Sequence, residues 1–320
     1  IVDRLFGPLI VGRDPFDTEV LWQEMYNSTR DFGQKGVIVS AISALDIALW
    51  DIKGKGVNLP VYKLLGGEFR RNVAAYAYGL LNKKTKNLVE EHRKEAAGLC
   101  QEGFKAIKMK IGYGHERDVE LVAAVRDTIG DQVRLMVDAN HAYSSRAAIT
   151  LGHELEKFHV YWFEEPVIPE DIEGYIEVKN ALNLAIAGGE CEYTRFGFRD
   201  LLFRRAVDIV QPDTCAAGGL TECKKIAGMA DACGIQYVPH VFGTGVAMAA
   251  ALHLIASLPE TPPSLYPSQP MLEYDTTPNP LREKLLRNPI VHRNGVVEAP
   301  DKGGLGIEID MKALEKYVVQ

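Results

Sequence analysis

Between Lys108 and Glu273 the chain repeats one pattern: a short apolar run, then an ionisable residue. Lys110 follows residues 104–109, Asp138 follows 133–137, Glu164 follows 160–163 and Glu190 follows 184–189. Asp213 follows 207–212, His240 follows 235–239 and Glu273 follows 271–272. Successive members stand 28, 26, 26, 23, 27 and 33 residues apart. A strand and its return helix take roughly 30 residues in an eightfold β/α barrel of about 250 residues. The spacing therefore predicts one ionisable residue at the end of each successive β/α unit. In a barrel those ends gather at one mouth, where catalytic groups assemble.

The remainder of the chain fits around this row. Residues 1–70 read as helical, with helices over 17–26 and 37–53, a turn over 61–65 and a close at Gly66-Gly67. Asp17 or Thr18 caps the first of these helices. Residues 73–81 form the first strand, and helices are expected over 87–101, 116–128, 145–158, 171–180, 198–205 and 221–233. Regular alternation of strand and helix predicts parallel strands with right-handed crossovers. After Glu273 the pattern changes. A short helix over 279–286 and short strands over 290–297 and 305–309 are expected to pack back on residues 1–70. The domain reading is thus 1–70 (cap), 71–274 (barrel) and 275–320 (return to the cap).

Composition excludes several classes. A net charge of −7 without a basic block argues against nucleic acid and anionic membrane as partners. The longest apolar run, 246–258, contains His253 and Ser257 and is too short to span a bilayer. No secretory signal opens the chain. Five cysteines with no CxxC pairing predict buried, reduced thiols and a cytoplasmic setting. The start at Ile1 leads us to expect that the natural N-terminal segment is missing from this sequence.

Alternate residues of a strand share a face. Ile107, Met109 and Ile111 then point toward the helices, and Lys108 and Lys110 point into the barrel. Two inward lysines need anions nearby or a lowered pKa; lysines that merely reach solvent are the competing reading. Asp138, Glu164 and Glu190 end three consecutive strands, and adjacent strands lie about 4.8 Å apart. Three such carboxylates repel one another unless a cation sits among them, and an all-oxygen set favours Mg2+ over Zn2+. Any one of them alone would more often be a surface acid in an ion pair. Asp213 beside His240 fixes the imidazole tautomer and raises its pKa, which makes a general acid/base. Glu273 reads as a further catalytic or substrate-binding acid, with a structural ion pair nearly as good an account. Asn140 and His141 follow Asp138 as candidate polar contacts, and Tyr76 and Tyr78 suit a polyol.

Together these groups describe proton abstraction next to a carboxylate. A metal and Lys108 neutralise the carboxylate, which lowers the barrier to an enediolate. Lys110 and His240 flank the α-carbon from opposite sides as bases or acids. A lysine base needs its pKa lowered toward neutrality, an effect expected from Lys108 and the metal.

At these residues the chain resembles the enolase superfamily, in particular its mandelate racemase subgroup. The motifs are Lys108-Met109-Lys110, Val137-Asp138-Ala139-Asn140, Trp162-Phe163-Glu164-Glu165-Pro166 and Gly188-Gly189-Glu190. They continue with Gln211-Pro212-Asp213, Ala217-Gly218-Gly219, Pro239-His240 and Leu272-Glu273-Tyr274, while residues 41–67 look like the family's capping helix and linker. The resemblance implies an α/β fold, a modified TIM barrel of (β/α)7β type, with an α+β capping domain whose N-terminal sheet is missing from this chain. It implies one Mg2+ on Asp138, Glu164 and Glu190, and bases Lys110 and His240 with Asp213. It implies a homo-oligomer acting on a small carboxylate held by Lys108, Asn140, Tyr78 and Glu273. Residues 208–213 carry no lysine, which disfavours the muconate-cycloisomerising and dipeptide-epimerising subgroup. The paired lysines of the second strand argue against galactonate- and mannonate-type dehydratases.

The expected activity is that of a Mg2+-dependent acid-sugar dehydratase: the C2 proton leaves, the C3 hydroxyl follows, and a 2-keto-3-deoxy acid results. The alternatives are a 2-hydroxy-acid racemase or epimerase with the same two bases, and a non-catalytic metal-binding barrel.

Overall fold

The structure is a computed structural model that describes residues 1–81, 85, 87–265 and 268–318. Eight parallel strands carry the architecture: β1 (Asn72–Gly79), β2 (Ala106–Lys110), β3 (Arg134–Asp138), β4 (Val160–Glu164), β5 (Ala185–Gly188), β6 (Ile209–Val210), β7 (Gln236–Tyr237) and β8 (Leu272–Asp275). They pair in the order β7-β6-β5-β4-β3-β2-β1-β8. The two ends of that path meet through Glu273, whose carboxylate accepts from the Val241 amide at 2.9 Å. Between the strands run helices Leu88–Gln101, His115–Ile129, Ser145–Glu156, Ile172–Ala181, Thr194–Phe203, Gly219–Ala232 and Gly245–Ala256. The spacing predicts a β/α barrel, and the seven helices between eight strands give the α/β, (β/α)7β form that the resemblance implies.

Strand alternation divides the core into two layers. Tyr76, Ala106, Met136, Trp162, Ala187, Ile209, Val238 and Met271, one from each strand or its immediate flank, fill the barrel axis. Ile107, Met109, Val137, Phe163, Ile186 and Val210 point outward and pack under the helices. The register then sets the next inward level: Lys110 is level with Asp138, Asp138 with Glu164, Tyr78 with Lys108 and Tyr76 with Glu273. An apolar plug below and a charged level above follow from the same period of two.

Before β1 lie helices Thr18–Thr29 and Val37–Gly56, preceded by a π turn over Val2–Phe6 and a short helix over Gly7–Ile10. Phe6, Trp22, Met25, Tyr26 and Ile42 form their shared core. Polar contacts fasten this cap to the Gly219–Ala232 helix. Trp22 Nε1 donates to Gly218 O at 2.7 Å, and Trp50 Nε1 to Thr221 Oγ1 at 2.8 Å. The Gly218 amide donates to Ser43 Oγ at 2.9 Å, and the Thr221 amide to Asp46 Oδ2 at 3.0 Å.

Several expectations change. The helices expected from 198 and 221 begin at Thr194 and Gly219. Their first amides are satisfied from elsewhere, Arg195 N by Glu222 Oε1 at 2.8 Å and Thr221 N by Asp46, so local sequence lacks the cap signal. Among the described residues of the tail, only Val296–Glu298 (β9) forms a strand, antiparallel to β1. Residues 305–309 contribute a single bridge, Leu286 to Ile309, because Pro300, Gly303 and Gly304 break extension on their N-terminal side and Gly306 breaks it within. The tail touches both neighbours: Leu305 N donates to Asp51 in the cap, and Ala299 N to Arg71 O ahead of β1. All five cysteines are free; Cys223 is buried and the other four are partly buried. Among the described residues no helix is long and apolar enough to cross a membrane.

Candidate active site

The charged level forms the mouth's floor. Lys108 Nζ lies 2.5 Å from Glu164 Oε1, 2.6 Å from Glu273 Oε1 and 3.8 Å from Asp138 Oδ2. Lys110 Nζ lies 2.5 Å from Asp138 Oδ2. Trp162 Nε1 and Gln211 Nε2 both donate to Glu164 Oε2, at 2.9 and 2.8 Å. Tyr78 lies beside both ammonium groups, its ring centre 5.1 Å from Lys108 Nζ and 5.5 Å from Lys110 Nζ, with Phe242 edge-on to it.

Glu190, Asp213 and His240 stand just past the ends of β5, β6 and β7 rather than on them, because these strands are short. His240 Nδ1 is 2.8 Å from Asp213 Oδ2, and Nε2 faces inward, 3.5 Å from Glu190 and 4.0 Å from Glu273. Burial pushes the imidazolium down, but Glu273, Asp213 and Glu190 outweigh it and carry His240 up to about 10. Burial and Lys108 likewise push the Lys110 ammonium down, and Asp138 overrides them, so Lys110 stands above the ordinary lysine range. The lowering expected from Lys108 is present, and Asp138 overrides it while its charge faces the ammonium. Spacing shows that two lysines are neighbours, but not that one carboxylate lies closer than either.

Burial grades the charged level. Lys108 and Glu273 are each 1% exposed and contact each other, so they form the buried floor. Lys110 and His240, at 13% and 19%, are the groups that reach the mouth. Tyr76 is no pocket residue: it is fully buried in the axial plug, edge-on to Trp162 at 5.3 Å.

Ligand oxygens of Asp138, Glu164 and Glu190 all lie within 4.8 Å of one another. Burial first, and then the Glu164 charge, push the Asp138 carboxyl up. Three hard oxygen donors with this mutual repulsion, balanced by lysine ammonium groups, fit a divalent cation such as Mg2+. Glu165, quoted in a motif but given no role by the sequence, is 1% exposed and accepts from Asn140 Nδ2 at 3.1 Å. Burial and the neighbouring carboxylates Glu190, Asp138 and Glu164 carry it up to about 9. Gln211 and Trp162 were also missed, although strand parity places Trp162 on the inward face with Glu164. A cavity of about 510 Å³, lined by Asn72, Arg293 and Glu298 among others, lies at the other end of β1 and contains none of these groups.

Comparison with known proteins agrees with this geometry. Residues 91–313 match the enolase C-terminal domain-like family, and residues 1–66 match the mandelate racemase / muconate lactonizing enzyme N-terminal domain. The chain is 46% identical over 316 residues to D-galactarolactone cycloisomerase of Agrobacterium fabrum, covering 99% of this chain and 84% of that one. It is 37% identical over 317 residues to arabinonate dehydratase of Saccharolobus solfataricus, covering 99% and 82%. The structure of a 3,6-anhydro-D-galactonate cycloisomerase from Zobellia galactanivorans superposes with a TM-score of 0.91 at 46% identity, covering 98% and 86%. A racemase from Streptomyces coelicolor A3(2), solved with bound magnesium, superposes at 0.88 and 31% identity, covering 99% and 83%. The chain belongs to the mandelate racemase / muconate lactonizing enzyme family of the enolase superfamily.

Proposed function

We propose that this chain catalyses Mg2+-dependent β-elimination on a sugar acid, with dehydration to a 2-keto-3-deoxy acid as the leading form. The observation that carries the reading is the placement of two proton-transfer groups around one carboxylate trio. Along the sheet, Lys110 on β2 and His240 beyond β7 flank Asp138 on β3, Glu164 on β4 and Glu190 just past β5. A divalent cation on that trio would neutralise it and polarise a substrate carboxylate.

Lys110 is the base. With the Asp138 charge engaged elsewhere, burial and Lys108 both push its ammonium down and free the amine. Its nitrogen takes the proton next to the carboxylate, and the electron pair moves into an enediolate. Collapse of the enediolate expels the oxygen on the β-carbon. His240, held by Asp213, gives that oxygen its Nε2 proton. A free hydroxyl leaves as water, and the enol becomes the keto acid. Tyr78 and Asn140 line the mouth as candidate contacts for the polyol.

A second reading shares every step but the leaving group. If the β-oxygen belongs to a lactone or anhydro ring, it stays tethered and the product is an isomer. The two cycloisomerases at 46% identity favour it. Proton NMR in D2O with Mg2+, over open-chain aldonic and aldaric acids, their lactones and anhydro acids, separates the forms. A 2-keto-3-deoxy product from an open-chain acid supports dehydration, and ring opening at constant mass supports cycloisomerisation. C2 deuteration with epimer growth and no elimination would instead establish a racemase. Lys110→Ala is expected to slow the reaction by about 10²–10⁴-fold; undiminished turnover removes Lys110 from the mechanism.

A further inference from the structure

We propose that His141, Glu165 and Cys191 form a second cation site, suited to Zn2+ or Co2+, in the wall of the barrel mouth. The site is separate from the carboxylate trio, and the inference does not depend on the reaction proposed above.

The geometry is that of a preformed ligand set. His141 Nε2 lies 3.2 Å from Glu165 Oε2 and 3.7 Å from Cys191 Sγ, and the three donor atoms all fall within 4.8 Å of one another. Zinc bonds of about 2.0–2.3 Å at the tetrahedral angle separate donor atoms by roughly 3.3–3.7 Å. The spacing found here therefore needs little rearrangement around an ion. Glu165 and Cys191 directly follow Glu164 and Glu190, and His141 follows Asp138 by three residues. The loops that aim one carboxylate at the trio thus aim a neighbouring donor at this second point.

Chemistry separates the two sites. The trio offers only oxygen, whereas this cluster offers one nitrogen, one oxygen and one sulfur, a set that favours borderline ions over Mg2+. His141 Nδ1 has no hydrogen-bond partner among the described residues, and Nε2 is the atom that meets Glu165 and Cys191. The side chain of His141 is 25% exposed and Cys191 is half-buried, so an ion can enter from solvent. On binding, the Cys191 thiol and the Glu165 carboxyl release their protons to solvent and ligate as thiolate and carboxylate.

The test titrates Co2+ into the full chain held in saturating Mg2+, with near-ultraviolet absorption as the readout. The expected result is a thiolate-to-cobalt charge-transfer band that saturates at one equivalent. Cys191→Ser should abolish the band and weaken Co2+ binding by at least about tenfold, the lower end of what losing even a supporting partner costs. His141→Asn should weaken binding similarly while leaving the thiol in place, and Asp138→Asn should leave the band intact. Thermal melting without Co2+ verifies that each variant is folded. No band in the native chain, a band that survives Cys191→Ser, or one lost in a folded Asp138→Asn protein would overturn the proposal.

Discussion

Lys108 shows how far one residue can be read in isolation. Its inward direction follows from strand parity. Its partners do not: Glu164 and Glu273 lie 56 and 165 residues away, and three-dimensional closure alone brings them within 2.6 Å. Burial pushes the Lys108 ammonium down, yet the surrounding carboxylates, Glu164 and Glu273 foremost, hold it well above the ordinary range. Lys108→Met keeps most of the volume and strands two buried carboxylates. In metal-free buffer it should lose about 3–5 kcal/mol of unfolding free energy, the scale of a broken buried pair. Urea unfolding checks this, and native-like stability would show that the ion pair does not balance those charges. Glu165 marks the limit from the other side. In the chain it is one more acid in a motif, and nothing local reveals that Asn140 and His141 both meet it.

Elements were legible where their signals are local. The helices from Val37 and from Ser145 start where expected, and Ser144 caps the second, accepting from the Ala147 amide. Helices whose first amides are met from distant segments were placed late. Close packing between elements gives two opposite predictions for one substitution. Gly54, inside the Val37–Gly56 helix, has Gly304 Cα and N only 2.6 Å from where a β-carbon would sit. Gly228, inside the Gly219–Ala232 helix, has nothing within 4 Å. Alanine in a helix gains about 1 kcal/mol over glycine, so Gly228→Ala should raise the melting temperature. Gly54→Ala should lower it, because backbone cannot yield and overpacking costs about 1–3 kcal/mol. Calorimetry that shows both stabilising would refute the close approach of tail and cap.

The Gly245–Ala256 helix carries a pH dependence. His253 is fully buried, and its Nδ1 accepts from the Tyr62 amide at 3.3 Å. Burial carries its pKa down to about 4 from 6.5. A depressed histidine favours folding while neutral. Its contribution is therefore fully present above pH 6.5 and is lost progressively as pH falls toward 4, by about 3 kcal/mol in total. Denaturant unfolding from pH 7 to pH 4 should show this loss, and His253→Gln should flatten that part of the profile. An unchanged slope in the variant would assign the loss to other groups.

At the scale of the whole molecule, the proposed site exists only when the sheet is closed. Its groups come from β2, β3, β4 and β8 and from the loops after β5, β6 and β7. An ion that binds the folded chain alone adds about 2.7 kcal/mol at a hundred times its Kd. Mg2+ should therefore raise the melting temperature of the native chain but not that of Asp138→Asn or Glu164→Gln. A native chain indifferent to Mg2+ would remove the trio as a metal centre.

The amino-acid sequence by itself determined the order of strands and helices, the inward parity of the lysines and the row of groups at the barrel mouth. These rest on periods of two, 3.6 and roughly 30 residues, which are properties of neighbouring chain. Tertiary structure decided which charges meet, and so the upward direction of Lys110 and the burial of Lys108 against Glu273. It also set where two helices begin and which part of the tail becomes a strand. Each of these depends on contacts between segments far apart in sequence, where distance and burial, rather than spacing along the chain, set the energy.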